Sequence, residues 1–123
     1  MPEQIGIQFA AAVARKDEAA LLALLDPEVD FRGMTPDRFE QAHGPAQLLE
    51  ILLGEWLTPT DEITGIKSID SDAVAEVRRV GYRLYVVHHG RSFVVEHVAY
   101  FRVRGRQIAW LQVMSTGMLH RQV

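Results

Sequence analysis

The 123-residue sequence predicts an α+β domain in which three N-terminal helices pack on one strongly curved antiparallel sheet. Three observations carry that expectation. Apolar residues recur at helical spacing up to Leu57 and at strand spacing from Glu62 onwards. Helices gathered ahead of antiparallel strands segregate to one face of a sheet. The chain also closes on a long hairpin, Ser92 to Met114 around Gly105, whose apolar positions alternate.

The first helix rests on Ile5, Phe9, Ala12, Val13 and Lys16, with Ala10, Ala11 and Ala14 as strong helix formers between them. Asp17 caps a second helix, Glu18 to Leu25, which Asp26-Pro27 ends because the residue before proline is pushed out of the α region. Val29 to Arg32 alternates as a short strand, and Gly33 to Gly44 reads as a loop. Pro45 suits the first turn of a third helix running to Leu57, whose apolar residues spread over more than one stripe, so it is covered on two sides.

Glu62 to Ile69 reads as a strand, with a turn at Asp70-Ser71-Asp72. In the next strand the apolar phase flips between Val77 and Val80, and a β-bulge at Arg78-Arg79 accounts for it. His88-His89-Gly90-Arg91 turns the chain into the final hairpin. With Arg104-Gly105 as a two-residue turn, Val103 faces Arg106, Phe101 faces Ile108, Ala99 faces Trp110, His97 faces Gln112 and Val95 faces Met114. The whole chain, 1–123, forms one domain, and a bent sheet over three helices leaves a cavity suited to a small ligand.

Composition narrows the function classes. The chain is 48% hydrophobic and 24% charged, as soluble globular domains are. A net charge of −3 argues against nucleic acid as a partner, since phosphate binding needs a basic surface. Absence of cysteine excludes disulfides, thiolate catalysis and cysteine zinc sites. The five histidines show no metal-ligand spacing, and His88 and His89 point to opposite faces of a strand. Neither a dinucleotide fingerprint, a phosphate loop nor a nucleophile elbow occurs, so no cofactor is expected. Met1-Pro2-Glu3-Gln4 lacks the pattern of an export signal, and no apolar run approaches the roughly 20 residues of a membrane span. A cytoplasmic protein with no membrane partner is the expectation.

His97 is the foremost candidate for chemistry, because imidazole can act as acid or base near neutral pH. The expected register sets it beside Gln112, on a face shared with Trp110 and Met114. Gln112 would then orient the ring or hold a ligand carbonyl; alternatively the pair satisfies itself within the core. Phe31, Trp56 and Tyr82 could line an aromatic pocket or simply fill the core. Arg32 could bind an anionic group or pair with Asp30 or Asp37, and Asp30, Asp37 and Glu40 are carboxylates near the expected mouth. The opposite face of the hairpin, Val94, Val98, Tyr100, Leu111 and Val113, needs cover, which a second copy of the chain would supply as a homodimer.

The order of elements, with Leu24-Leu25-Asp26-Pro27, Gly44-Pro45 and the hairpin Tyr100-Phe101-Arg102-Val103 to Trp110, resembles the nuclear transport factor 2-like superfamily, closest in style to its SnoaL-like branch. That resemblance implies a cone-shaped α+β barrel, usually dimeric, on which isomerases, cyclases, dehydratases, epoxide hydrolases and non-catalytic binders are built. The ketosteroid isomerase positions fall here on Phe9, Ala99 and Arg32, none of which supplies the chemistry of that group. The carboxylate that epoxide hydrolases carry after a tryptophan of the last strand falls on Gln112. Two functions follow as expectations: a SnoaL-like enzyme of proton-transfer type using His97 on a small, largely apolar molecule, or a non-catalytic ligand-binding or structural dimeric module.

Overall fold

A computed structural model describes residues 2–121. Met1, read above as part of the N-terminal stretch, lies outside the described residues. Three helices pack against a curved, unclosed mixed sheet of seven strands, the α+β cone that the sequence predicts. Helix α1 spans Pro2–Arg15 and buries Phe9, Ala10, Ala12 and Val13. Gly6 lets it sit close to the sheet, since a Cβ there would come within 3.1 Å of Val80. Lys16 takes a left-handed conformation that stops α1, and Asp17 caps α2, Glu18–Leu24, by accepting the Ala20 N–H at 3.0 Å.

Strand β1 runs Leu25–Thr35 and pairs with β2, Arg38–His43. The segment expected to be a loop is therefore mostly hairpin. Thr35-Pro36-Asp37-Arg38 makes its turn, with proline where a turn favours it. Met34 and Phe39 face solvent, which hid the strand pattern from a reading based on apolar alternation. Pro45 opens α3, Pro45–Leu49, as expected, but the helix continues as a π-helical segment, Glu50–Trp56, closed by a Leu57 N–H bond to the Leu52 carbonyl. Such segments widen a helix and recur at functional sites.

Strand β3, Glu62–Val74, passes straight through Asp70-Ser71-Asp72, and the turn falls at Ala75-Glu76. The acidic residues remain in the strand because Arg79 pairs with Asp70 and Asp72 across the ladder. No bulge interrupts β4, Val77–His88, whose pairing with β5, Arg91–Arg104, is unbroken from Arg78↔Phe101 to His88↔Arg91. The irregularities lie in β3 instead, where register shifts between Ile63 and Gly65 and between Lys67 and Asp70, and where Ser68 has positive φ. Val77 differs in phase because it belongs to the hairpin end, while Val80, Tyr82, Leu84 and Val86 are buried as the alternation predicts.

The last hairpin corrects the expected register. Its turn is Gly105-Arg106, with Arg104 facing Gln107 at the start of β6, Gln107–Ser115. A bulge at Ala109 then adds a further residue, so Arg102 faces Trp110, Phe101 faces Leu111, Tyr100 faces Gln112, Ala99 faces Val113 and His97 faces Ser115. An odd slip moves one strand's side chains to the other face. Leu111 and Val113 therefore join the core, while Trp110, Gln112 and Met114 face outward. The sheet order is β2-β1-β6-β5-β4-β3, and β7, Leu119–His120, pairs with β5. Strands β1 and β6 run parallel, so the sheet is mixed rather than wholly antiparallel. Among the described residues no helix is long and apolar enough to cross a membrane.

Candidate functional site

The cone's mouth is built by the β1–β2 turn, the end of the π-helical segment and the chain after β6. Between them lies a cleft of about 280 Å³, with Pro36, Asp37, Glu55, Trp56, Met118 and His97 in its lining. Alternation along β5 turns Val95, His97, Ala99 and Phe101 inward. Register places Tyr82 of β4 directly across from His97. Their side chains meet on the inner face, with the Tyr82 hydroxyl 3.0 Å from His97 Nδ1. Both are fully buried. Phe9 of α1 meets the Tyr82 ring edge-on at 6.5 Å and supports it from the helix layer.

His97 Nε2 has no hydrogen-bond partner, and it is the only such buried side-chain nitrogen or oxygen among the described residues. Unpaired buried polar atoms are rare in folded proteins, and each calls for a cause. Burial lowers the His97 pKa from 6.5 to about 4, so the ring is neutral at physiological pH. Burial likewise raises the Tyr82 hydroxyl above its ordinary value, keeping it protonated.

Trp56 stands over this pair, its ring 5.7 Å from that of His97 and 6.2 Å from that of Phe31. Its indole N–H donates to Glu40 at 3.1 Å, and Arg38 holds Glu40 and Glu55 at 3.3 and 3.6 Å. Gly33 makes room for it, since a Cβ there would lie 2.7 Å from two carbons of the Trp56 ring. His97 Nε2 itself is covered.

Of the residues the sequence singled out, His97 and Trp56 line the cleft, Tyr82 touches His97, and Phe9 and Phe31 are buried behind them. Ala99 sits in the core between Val80 and Val113. Gln112, Trp110 and Met114 do not join His97, because the hairpin slip places them on the outer face, where Arg102 lies over the Trp110 ring at 5.0 Å. Arg32 also points outward, half-exposed and 3.8 Å from Asp30, so it is no polar handle in this cleft. Glu40, a carboxylate the sequence places near the mouth, holds Trp56, and Glu55, which the sequence reading does not single out, lines the cleft. A larger groove of about 560 Å³ opens beside α2 and α3, lined by Leu22, Leu49 and Leu53 among others, but it contains no orphaned polar atom. Among the described residues no group of three histidine or acidic side chains could hold a metal ion.

A curved, unclosed sheet wrapped over three helices is the nuclear transport factor 2-like cone. The model of the SnoaL-like domain matches residues 7–111, and the chain belongs to that family. Solved structures of the same fold include a candidate isomerase from Rhodopseudomonas palustris, 16% identical over 94% of this chain and 91% of that one, with a TM-score of 0.74. A candidate polyketide cyclase from Pseudomonas putida is 17% identical over 90% and 88% of the two chains, with a TM-score of 0.66. An NTF2-like protein of unknown function from Burkholderia pseudomallei is 22% identical over 89% and 86%, with a TM-score of 0.65. A search of the curated proteins found no match. At these identities the likeness carries the fold, and function rests on the site.

Proposed function

We propose that this protein binds a small, largely apolar molecule in the cleft above His97, and that His97 takes part in proton-transfer chemistry of the isomerase, cyclase or dehydratase kind. The observation that carries this reading is the orphaned Nε2 of a wholly buried histidine that lines an open cleft. Buried polar atoms are paired in folded proteins as a rule, so a histidine kept only for packing would have both nitrogens paired. The names of the isomerase and cyclase relatives agree with such chemistry.

One observation favours the second reading, a non-catalytic binding module. His97 is hydrogen-bonded to a tyrosine and to no carboxylate, and the acidic groups of the lining, Asp37 and Glu55, stand with the turn and helix residues of the cleft wall. Thermal-shift screening with apolar carbonyl compounds tests the shared claim, since a ligand of the folded state raises stability by mass action. Hits lost in His97→Gln support the site, whereas a flat response across the screen rejects both readings. Incorporation of solvent deuterium beside the carbonyl of a hit, absent with His97→Gln, marks the enzyme; binding without exchange marks the module.

The proposal includes a homodimer formed through the outer face of the sheet. Met34 and Met114, 41% and 37% exposed, are register partners there, beside half-buried Trp110, Tyr100 and Val98. Its test is argued with the predictions below.

A further inference from the structure

Two arrangements of hydrogens fit the 3.0 Å contact between Tyr82 and His97. In the first, the tyrosine O–H donates to Nδ1, and the ring proton resides on Nε2. In the second, Nδ1–H donates to the tyrosine oxygen, and Nε2 carries a lone pair. They differ in what they strand. Among the described residues His97 is the only partner of the Tyr82 hydroxyl. The second arrangement therefore leaves the hydroxyl hydrogen without an acceptor and the Nε2 lone pair without a donor. The first leaves Nε2–H without an acceptor and the phenol oxygen, a weak acceptor, without a donor. Each strands one donor and one acceptor, so their strength decides. A phenol O–H, with an ordinary pKa of about 10, is a stronger donor than a neutral imidazole N–H, and an imidazole nitrogen is a stronger acceptor than a phenol oxygen. The first arrangement therefore makes the stronger bond and strands the weaker groups. The two nitrogens of an imidazole point in nearly opposite directions, so Nε2 is directed away from Tyr82.

From this juxtaposition we infer that Tyr82 is a positioning residue which locks His97 in the Nε2–H form, and that the cleft selects an uncharged molecule bearing a hydrogen-bond-accepting oxygen, a carbonyl above all. The inference rests on the reading of the cleft as a ligand site and narrows it. A neutral N–H donor suits an uncharged oxygen. It suits a carboxylate or phosphate poorly here, because the lining carries Asp37 and Glu55 while its one arginine, Arg38, is already held by Glu40 and Glu55. A neutral imidazole directed at a carbonyl polarises it and favours loss of a proton from the neighbouring carbon without being ionised itself. Nε2 would then act at oxygen as a donor, and a proton leaving carbon would pass to a carboxylate of the lining, Asp37 or Glu55.

Nitrogen NMR of the full-length protein with isotope-labelled histidine rings reads the tautomer with no ligand present. The expected result is one neutral form, protonated at Nε2 and unprotonated at Nδ1, that becomes a mixture in Tyr82→Phe. A wild-type ring protonated at Nδ1 overturns the inference, whatever the variant does. Matched probes then read the ligand class: cyclohexanone and decalone only accept hydrogen bonds through oxygen, whereas pyrrole and indole donate through N–H. Movement of the His97 Nε2 resonance with the ketones alone supports the inference. Movement with pyrrole and indole alone overturns it while leaving the ligand site intact. No movement of any cleft resonance with either pair overturns both.

Discussion

The Tyr82 hydroxyl meets His97 Nδ1 at 3.0 Å across adjacent strands, in a region with no access to solvent. Removing one partner leaves the other stranded, while removing both exchanges a polar pair for an apolar one. Tyr82→Phe and His97→Leu should each lower stability by about 1–3 kcal/mol. The double variant should cost less than their sum by about 1–2 kcal/mol. Urea denaturation of the four proteins supplies the cycle; additive costs would mean that the bond contributes nothing.

Acid should weaken the fold through His97. The folded ring resists protonation until about pH 4, whereas the unfolded one takes its proton near 6.5. Between those values the unfolded chain binds more protons, so stability is complete above about pH 6.5 and falls as the pH is lowered towards about 4. The full loss is on the order of 3 kcal/mol. Asp61 acts in a lower window. Burial would raise its pKa, but hydrogen bonds from His88 and Thr58 outweigh that and bring it below 3.8, so its contribution persists until the pH falls through that lowered value. The difference between wild type and His97→Gln, followed by urea denaturation against pH, isolates the upper window. Parallel curves from pH 7 down to pH 4 would refute a buried neutral His97.

Gly33 is fixed by Trp56 rather than by backbone conformation. A methyl group there would lie 2.7 Å from the indole and 2.9 Å from the end of the Phe31 ring, far inside contact distance. Gly33→Ala should push Trp56 from its place, break its bond to Glu40 and cost about 1–3 kcal/mol. With Trp110→Phe as background, leaving one tryptophan, fluorescence should shift to longer wavelength as the indole moves towards water. Unchanged emission and stability would show that the ring does not need this space.

The order and type of most elements were legible, β2 and β7 excepted, because they depend on periodicity and turn chemistry within short windows. The Asp17 cap, the Pro45 start and the inward row Val80, Tyr82, Leu84 and Val86 all follow from such local signals. The neighbours of His97 were not, because they depend on parity. Gly105-Arg106 in place of Arg104-Gly105, followed by the bulge at Ala109, exchanged Gln112 for Ser115 opposite His97 and sent Trp110 and Met114 outward. Tyr82 was identified as an aromatic, but its role needed the β4–β5 register, which brings together two residues 15 positions apart in sequence. Nor does periodicity reveal a π-helical segment, so the placing of Trp56 over His97 belongs to tertiary packing.

The outer sheet face supplies the last prediction. Met34 on β1 and Met114 on β6 are neighbours in the parallel pair, both exposed, and Trp110 lies half-buried on the same surface with Arg102 over its ring. An apolar patch on a sheet is characteristic of a surface that meets a partner, and a two-fold arrangement would set each methionine pair against its own counterpart. Sedimentation equilibrium at micromolar concentration should therefore give twice the mass of 13.9 kDa. Met34→Glu with Met114→Glu should yield a monomer, because four like charges would be buried together in the dimer. In the monomer itself the substituted side chains stay in water, so its own stability should change by less than about 0.5 kcal/mol. A wild-type protein that sediments as a monomer removes the dimer from the proposal, and a charged double variant that still dimerises moves the interface to a different face.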